Sequence, residues 1–304
     1  MKKFSILILT NSSSDLTLLK FKEFEIVNVK SEFFITFCKE TNTNISFEDI
    51  IEIDYYKKPR YAIINKNLKK EFELYKIHDL FNFLLLLFPS TLHNEIILDY
   101  KLDNRKLSFF DVFKFGQISY PQDENEFLSF DKSDVNQINL FTENYFDKLQ
   151  NINYIKFSIQ NYINAFASNY THLSLIAFCI SLESITNGNS ELLYRICRNV
   201  SVLCGKDDES GHIIFDNIKK IYGLRSKIVH GMEFQDDKVD KYLLYLQSIS
   251  SKVIVELLIH DIKTVEILNK KITGIGFGDR HKISNNWNNI ILNTKLENFI
   301  YKTI

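Results

Sequence analysis

The sequence predicts an α+β protein in which a β-rich N-terminal domain, residues 1–130, precedes an all-helical domain at 131–270 and a C-terminal appendage at 271–304. Before the first boundary the apolar residues come in short runs rich in branched and aromatic side chains, which is the pattern of strands. After it they recur at the three- and four-residue spacing of amphipathic helices. The polar, proline-containing segment 120–126 separates the two patterns and marks the boundary.

In the N-terminal part, strands are expected wherever a short apolar run is bounded by polar or turn-forming residues. These runs are 4–9, 16–19, 24–29, 33–37, 50–55, 61–64 and 96–100. One helix, at about 77–88, interrupts them and is stopped by Pro89. Segment 107–115 has the length and composition of either a strand or a short helix. The domain is therefore expected to be built on a sheet.

The C-terminal part is expected to form a bundle whose short connections make neighbouring helices antiparallel. Its helices are predicted at 134–149, 152–168, 171–187, 190–204, 212–222, 226–231 and 236–262. A break between 222 and 226 is expected because Gly223 can end one helix and Ser226 is a good N-cap for the next.

Composition limits the classes of function. The formal net charge is −1, so binding to nucleic acid would depend on a local basic surface. The seven His show no spacing typical of zinc ligands, and neither a metal nor another cofactor is predicted. The four Cys lack a Cys-x-x-Cys pair and are expected to be reduced and buried, as in a cytoplasmic protein. Apolar runs 4–9 and 80–88 are too short to cross a membrane, so no membrane contact is expected.

The most informative stretch is 222–231, Tyr-Gly-Leu-Arg-Ser-Lys-Ile-Val-His-Gly. Arg225 is always charged and offers a planar fork of donors suited to phosphate. His230 is of the one type that both takes and gives a proton near neutral pH. On a continuous helix, five residues would direct the two side chains about 140° apart. They converge only if the helix breaks between Gly223 and Ser226, which would give a phosphodiester site at a helix entry.

This motif resembles the Arg-x4–6-His-Gly signature of HEPN domains, in particular of the Apea-like HEPN family, through the residues Leu-Arg-Ser-Lys-Ile-Val-His-Gly at 224–231. The similarity extends upstream. Segment 181–185 is similar to the family's helix with an acidic residue, 190–195 to its Glu-Leu-x-x-Arg helix, and 202–205 to its Leu-x-Gly turn. The resemblance covers about residues 150–265.

The resemblance implies a metal-independent endoribonuclease with an all-helical catalytic domain that dimerises, so that two Arg-x4-His motifs face each other across one cleft. His230 would activate the 2′-hydroxyl or protonate the leaving 5′-oxygen, and Arg225 would stabilise the negative charge on phosphorus. The products would be a 2′,3′-cyclic phosphate and a 5′-hydroxyl. Such enzymes often act in prokaryotic phage defence or as toxins, which implies RNA as substrate and a regulatory or antitoxin protein as a further partner.

A non-catalytic HEPN module that binds nucleotide or RNA, or that serves as a dimerising partner, is the alternative. Ser226, a supporting residue of the candidate site, follows the arginine where many nucleolytic HEPN domains carry Asn, Asp or His. Ser is nevertheless usual among Apea-like sequences. Cleavage of RNA in EDTA that depends on Arg225 and His230 would distinguish the two functions.

Glu183 is the second candidate supporting residue, because it lies in a helix that is apolar nearly all round. A carboxylate there is costly unless it meets a positive partner or several donors. In one interpretation it positions Arg225 or His230. In the other it pairs with Arg195 or Arg198, or reaches an exposed edge of the helix.

A basic rim for RNA is predicted from five side chains on nearby helices, with a solvated charged face as the ordinary alternative for each of them. They are Arg195, Arg198, Lys219, Lys220 and Lys227. Tyr222 lies close to Arg225 in sequence and would either stack on a base, hydrogen-bond a phosphate, or pack in the bundle.

Overall fold

The computed structural model describes residues 2–43, 59–66, 74–103, 106–114, 126–149, 151–186, 191–285 and 292–304. The chain divides into two compact units, Met1–Phe146 and Asp147–Ile304. An antiparallel sheet forms the first unit and helices form the second, which confirms the predicted α+β class. The division falls inside a helix that the sequence pattern assigns to the helical domain.

The N-terminal unit is built on a five-stranded sheet within the described residues, with the order β2-β3-β1-β4-β5 and every neighbouring pair antiparallel. The strands are β1 (Lys2–Thr10), β2 (Phe24–Asn28), β3 (Tyr61–Asn65), β4 (His93–Asp103) and β5 (Lys106–Lys114). The central strand β1 is buried from Phe4 to Thr10, as its nearly unbroken apolar run predicts. Segment 107–115 has the pattern of either a strand or a short helix, and its described residues, 107–114, are part of strand β5.

In the described part of this unit, three helices accompany the sheet: α1 (Glu32–Glu40), α2 (Leu74–Leu87) and α3 (Val135–Leu149). The prediction of a strand at 33–37 is wrong, because Ser31 caps α1 by accepting a hydrogen bond from the Phe34 amide. The strand expected at 16–19 is instead a 3-10 turn at Leu16–Leu18. The strand expected at 50–55 lies outside the described residues.

Aromatic packing places α3 in the N-terminal unit. The ring of Phe141 stacks on Phe83 of α2 at a centroid distance of 6.1 Å, and Phe146 meets the same ring edge-on at 5.2 Å. Helix α3 therefore completes the core of the sheet-containing unit over most of its length, although its periodicity resembles that of the bundle helices.

The helical unit contains seven helices within the described residues. They are α4 (Asn153–Phe166), α5 (Thr171–Thr186), α6 (Leu192–Cys204), α7 (Asp208–Val229), α8 (Asp236–Ile259), α9 (Val265–Ile272) and α10 (Thr294–Ile300). Helix α8 packs against α4, α5, α6 and α10. Among the described residues, its segment Lys238–Ile259 is the one stretch long and apolar enough to cross a membrane. Since 72% of that stretch is buried inside the protein, α8 is the core helix of the bundle.

Helix α7 is continuous, so the expected break between 222 and 226 is wrong. Gly223 lies within the helix and Ser226 does not cap a new one. The helix begins earlier than predicted, because Asp207 and Ser210 form a capping box at its N-terminus. The acidic segment 207–211 is therefore a helix start.

The described residues after 271 pack into the helical unit and do not form a separate appendage. A buried group of charges joins them to α8. Lys252 Nζ lies 2.9 Å from Glu256 Oε1 and also contacts Glu297 Oε1, while Arg280 Nη1 lies 3.3 Å from Glu256 Oε1. The His260 ring contacts the other oxygen of Glu256 at 3.3 Å. All five residues are buried, and they fix the C-terminal segment against the core helix.

Candidate functional site

Arg225, on α7, forms an ion pair with Glu183 on α5. The Arg225 Nη2 atom lies 3.3 Å from Glu183 Oε1, and both side chains are partly buried, with 31% and 22% of their surfaces exposed. Burial raises the pKa of the Glu183 carboxyl above its usual value, and the positive charge of Arg225 opposes that rise. Of the four predicted partners of Glu183, Arg225 is the one that it contacts among the described residues.

The guanidinium of Arg225 is not saturated by this contact. Its Nε atom is buried and has no hydrogen-bond partner among the described residues. Guanidinium carries five N–H donors in a fixed fork. Glu183 therefore fixes the direction of the group. The buried Nε is closed to an anion from solvent, and the exposed 31% of the side chain is the part that an anion can reach.

His230 stands at the C-terminal end of α7, as its C-cap, and is exposed. Its amide donates to the Ser226 carbonyl at 3.1 Å, which continues the helical course to this residue. Gly231 follows with a φ of +66°, the left-handed conformation that ends many helices. His230 is therefore open to solvent.

Since α7 runs unbroken from Arg225 to Val229 and His230 caps it, helix geometry directs the two side chains about 140° apart. The structure places them at the same end of one helix but does not bring the two side chains of one chain together. Ser226 is exposed on this last turn, next to Arg225.

Tyr222 belongs to the bundle interior. Its hydroxyl donates to the Cys179 carbonyl at 3.0 Å, and it is 8% exposed. Burial raises the pKa of its phenol well above the usual value. Of the three alternatives open for Tyr222, the structure shows packing in the bundle, where its hydroxyl bonds to the backbone of α5.

The five predicted rim residues divide into two groups. Arg195, Lys219 and Lys227 are exposed. Arg198 donates through Nη2 to the carbonyls of Ile272 and Ile275, at 3.2 and 3.1 Å, so it anchors the segment after α9 and is not placed to bind RNA. Lys220 is exposed but donates to the Ile304 carbonyl at 3.0 Å.

Other sites for chemistry are few in the part of the chain that the structure describes. No group of three or more His, Cys, Asp or Glu within it could hold a metal ion. The four Cys are free and buried. Burial raises the pKa of the Cys38 thiol to about 11 and that of Cys197 to about 12, which keeps both protonated at neutral pH.

Comparison with known proteins gives no relative: no family model, no curated protein and no solved structure matches the chain.

Proposed function

We propose that this protein is a metal-independent endoribonuclease of the HEPN type. The observation that carries the proposal is the last turn of α7, where an exposed His230 and an Arg225 oriented by Glu183 occupy the positions of an Arg-x4-His motif. A solvent-accessible imidazole can transfer protons, and a partly exposed guanidinium can bind a phosphate.

The chemistry follows from these two groups. One imidazole removes the proton of an RNA 2′-hydroxyl, whose oxygen then forms a bond to the adjacent phosphorus. The bond from phosphorus to the 5′-oxygen breaks, and an imidazole returns a proton to that oxygen. Arg225 stabilises the additional negative charge on the phosphoryl oxygens. The products are a 2′,3′-cyclic phosphate and a 5′-hydroxyl, and DNA is resistant because it lacks the attacking hydroxyl.

The divergence of Arg225 and His230 on one helix supports a site shared by two copies of the chain. In a symmetric dimer whose axis passes near the end of α7, the imidazole of one copy can face the guanidinium of the other. We therefore include homodimerisation in the proposal. Cytoplasmic phage defence or toxicity under the control of a regulatory protein is the proposed setting.

A test of this function incubates purified protein with total RNA in the presence of EDTA. Wild type should cleave the RNA, whereas His230→Ala and Arg225→Ala should each lose most of that cleavage. His281→Ala, which removes an imidazole elsewhere in the helical unit, serves as the matched control and should cleave like wild type. Cleavage that persists in either motif variant would refute the assignment of these residues.

The ion pair between Arg225 and Glu183 also favours a second candidate function. If the arginine served packing alone, the domain would be a non-catalytic module that binds RNA or nucleotide, or that dimerises. The same assay separates the two functions, because such a module would leave total RNA intact while still binding or dimerising.

A further inference from the structure

A groove separates the first turn of α6 from the middle of α7. Its volume is about 590 Å³, and its walls include Leu193, Tyr194 and Phe215. Leu193 and Tyr194 are 40% and 55% exposed, although both are large and apolar in part. The rings of Tyr194 and Phe215 meet edge-on at a centroid distance of 6.0 Å. Two aromatic side chains therefore line an open surface groove, where either ring can meet a flat ligand.

Charged groups at the rim indicate which ligand fits. Lys219 and Glu191 both line the groove. An exposed lysine beside aromatic rings suits a nucleotide, because the ammonium binds the phosphate while the base stacks on a ring. The carboxylate of Glu191 can accept hydrogen bonds from the amino group of a base. Asp216 is also exposed on the same stretch of α7, so the groove carries acidic as well as basic groups at its rim.

A second copy of the chain fits the groove less well. In a two-fold interface centred on it, Lys219 would approach the same lysine of the other copy, and like charges placed so close destabilise an interface.

The groove and His230 lie on one side of α7. Lys219 and His230 are eleven residues apart, which amounts to three turns with an offset of only about 20° and a rise of about 16 Å. Between them, Gly223 is exposed, and a Cβ added there would meet no atom within 4 Å. Glycine destabilises the middle of a helix relative to alanine. No packing within the described residues requires Gly223. Because it has no side chain, this part of the helix surface is unobstructed.

We propose that the groove binds a base of single-stranded RNA and that the strand follows the exposed side of α7 over Gly223 to His230. The location of the cut bond in this arrangement rests on the proposed nuclease function. The groove itself is a substrate-binding site outside the Arg225–His230 motif, and it selects unpaired RNA because a base within a duplex cannot stack on Tyr194.

The test measures binding by fluorescence anisotropy of a labelled single-stranded RNA of about ten nucleotides, which is within the site size of such surfaces. All proteins carry His230→Ala, so that the probe stays intact, and EDTA is present. Tyr194→Ala should weaken binding by about 5- to 150-fold, the range measured for loss of one stacked base. Tyr194→Phe should bind like the parent. Lys219→Gln should weaken binding and reduce its dependence on salt.

Matched controls come from α4, where Phe157 and Lys156 are also exposed. Phe157→Ala and Lys156→Gln should leave binding unchanged.

Gly223 allows a separate test with substitutions outside the groove. Gly223→Ala should raise the thermal midpoint and preserve binding, whereas Gly223→Gln should keep the fold and weaken binding by covering the path of the strand.

The proposal is overturned if the parent does not bind the probe, or if Tyr194→Ala and Gly223→Gln bind it as tightly as the parent. It is also overturned if Tyr194→Ala converts a dimer to a monomer, since the groove would then be an interface between copies. The nuclease function is judged separately by cleavage of RNA with wild-type His230. If binding depends on the groove but wild type does not cleave RNA, the binding site stands and the nuclease function is rejected. If wild type cleaves RNA but binding does not depend on the groove, the nuclease function stands and the binding site is rejected.

Discussion

Arg225 and His230 lie on one uninterrupted helix, at whose C-terminal end their side chains point about 140° apart. This divergence disfavours a site that takes both groups from a single chain. Glu183 holds the arginine from the side of α5, while the histidine faces solvent. The geometry therefore connects the proposed chemistry to the proposed dimer.

Exchanging the charges of the ion pair separates its structural role from its chemical one. Glu183→Arg and Arg225→Glu should each lower the free energy of unfolding by about 1–3 kcal/mol, because each leaves two partly buried like charges together. The double variant should recover much of that loss, as measured by urea unfolding. It should not recover RNA cleavage, since a carboxylate on α7 repels phosphate. Recovery of cleavage would show that Arg225 acts only in packing.

Lys252 is predicted to be essential to the fold of the helical unit. Its ammonium is buried and is bound by two carboxylates, those of Glu256 and Glu297. Lys252→Met should lower the free energy of unfolding by about 3–5 kcal/mol, because both carboxylates lose a buried partner. Lys241→Met makes the same change at an exposed position of α8 and should have little effect. Equal stability of the two variants in a thermal unfolding experiment would contradict this account.

Glu256 should make the protein sensitive to acid. Burial disfavours its charged form, but Lys252, His260 and Arg280 outweigh that effect and lower its pKa from 4.5 to about 2. A carboxyl whose pKa is lower in the folded state stabilises the fold above its unfolded pKa, and that stabilisation is lost as the pH falls from 4.5 towards 2.

The comparison with Glu256→Gln isolates this effect. Wild type should lose on the order of 3 kcal/mol more than the variant over this pH range. Urea unfolding at a series of pH values measures the difference. A difference between the two proteins that stays constant with pH would exclude a lowered pKa of Glu256.

Gly231 should be needed to end α7 directly after His230. Its φ of +66° is unfavourable for residues with a Cβ, although no neighbouring atom would touch one. Gly231→Ala should therefore cost about 1–2 kcal/mol of stability from the backbone alone. Gly231→Asn should cost less, because Asn tolerates this conformation. Thermal unfolding of both variants tests the order, and an Ala variant more stable than the Asn variant would contradict it.

Local patterns predicted much of the fold, and the failures have physical causes. The run at 33–37 is as aromatic as a strand, but Phe34, Phe37 and Cys38 are the buried residues of α1, at helical spacing. Together with the N-cap Ser31, that spacing was the better signal. The break expected at Gly223 did not occur, because an isolated glycine costs a helix only about 1 kcal/mol relative to alanine.

An ion pair can be predicted from the sequence only where few oppositely charged residues are available as partners. Glu183, on an almost wholly apolar helix, needs a positive partner, and Arg225 is one of its four predicted partners. Lys252 and Glu297 are 45 residues apart, and no local pattern indicates that they meet. Their contact depends on how the C-terminal segment packs on α8.

The measurement that tests the shared site most directly is complementation between two inactive chains. Arg225→Ala and His230→Ala are co-expressed with different affinity tags, and the heterodimer is purified through both. If each site takes its guanidinium from one copy and its imidazole from the other, one of the two sites is intact, and about half of the wild-type RNA cleavage should return. A heterodimer as inactive as either variant alone would contradict the account.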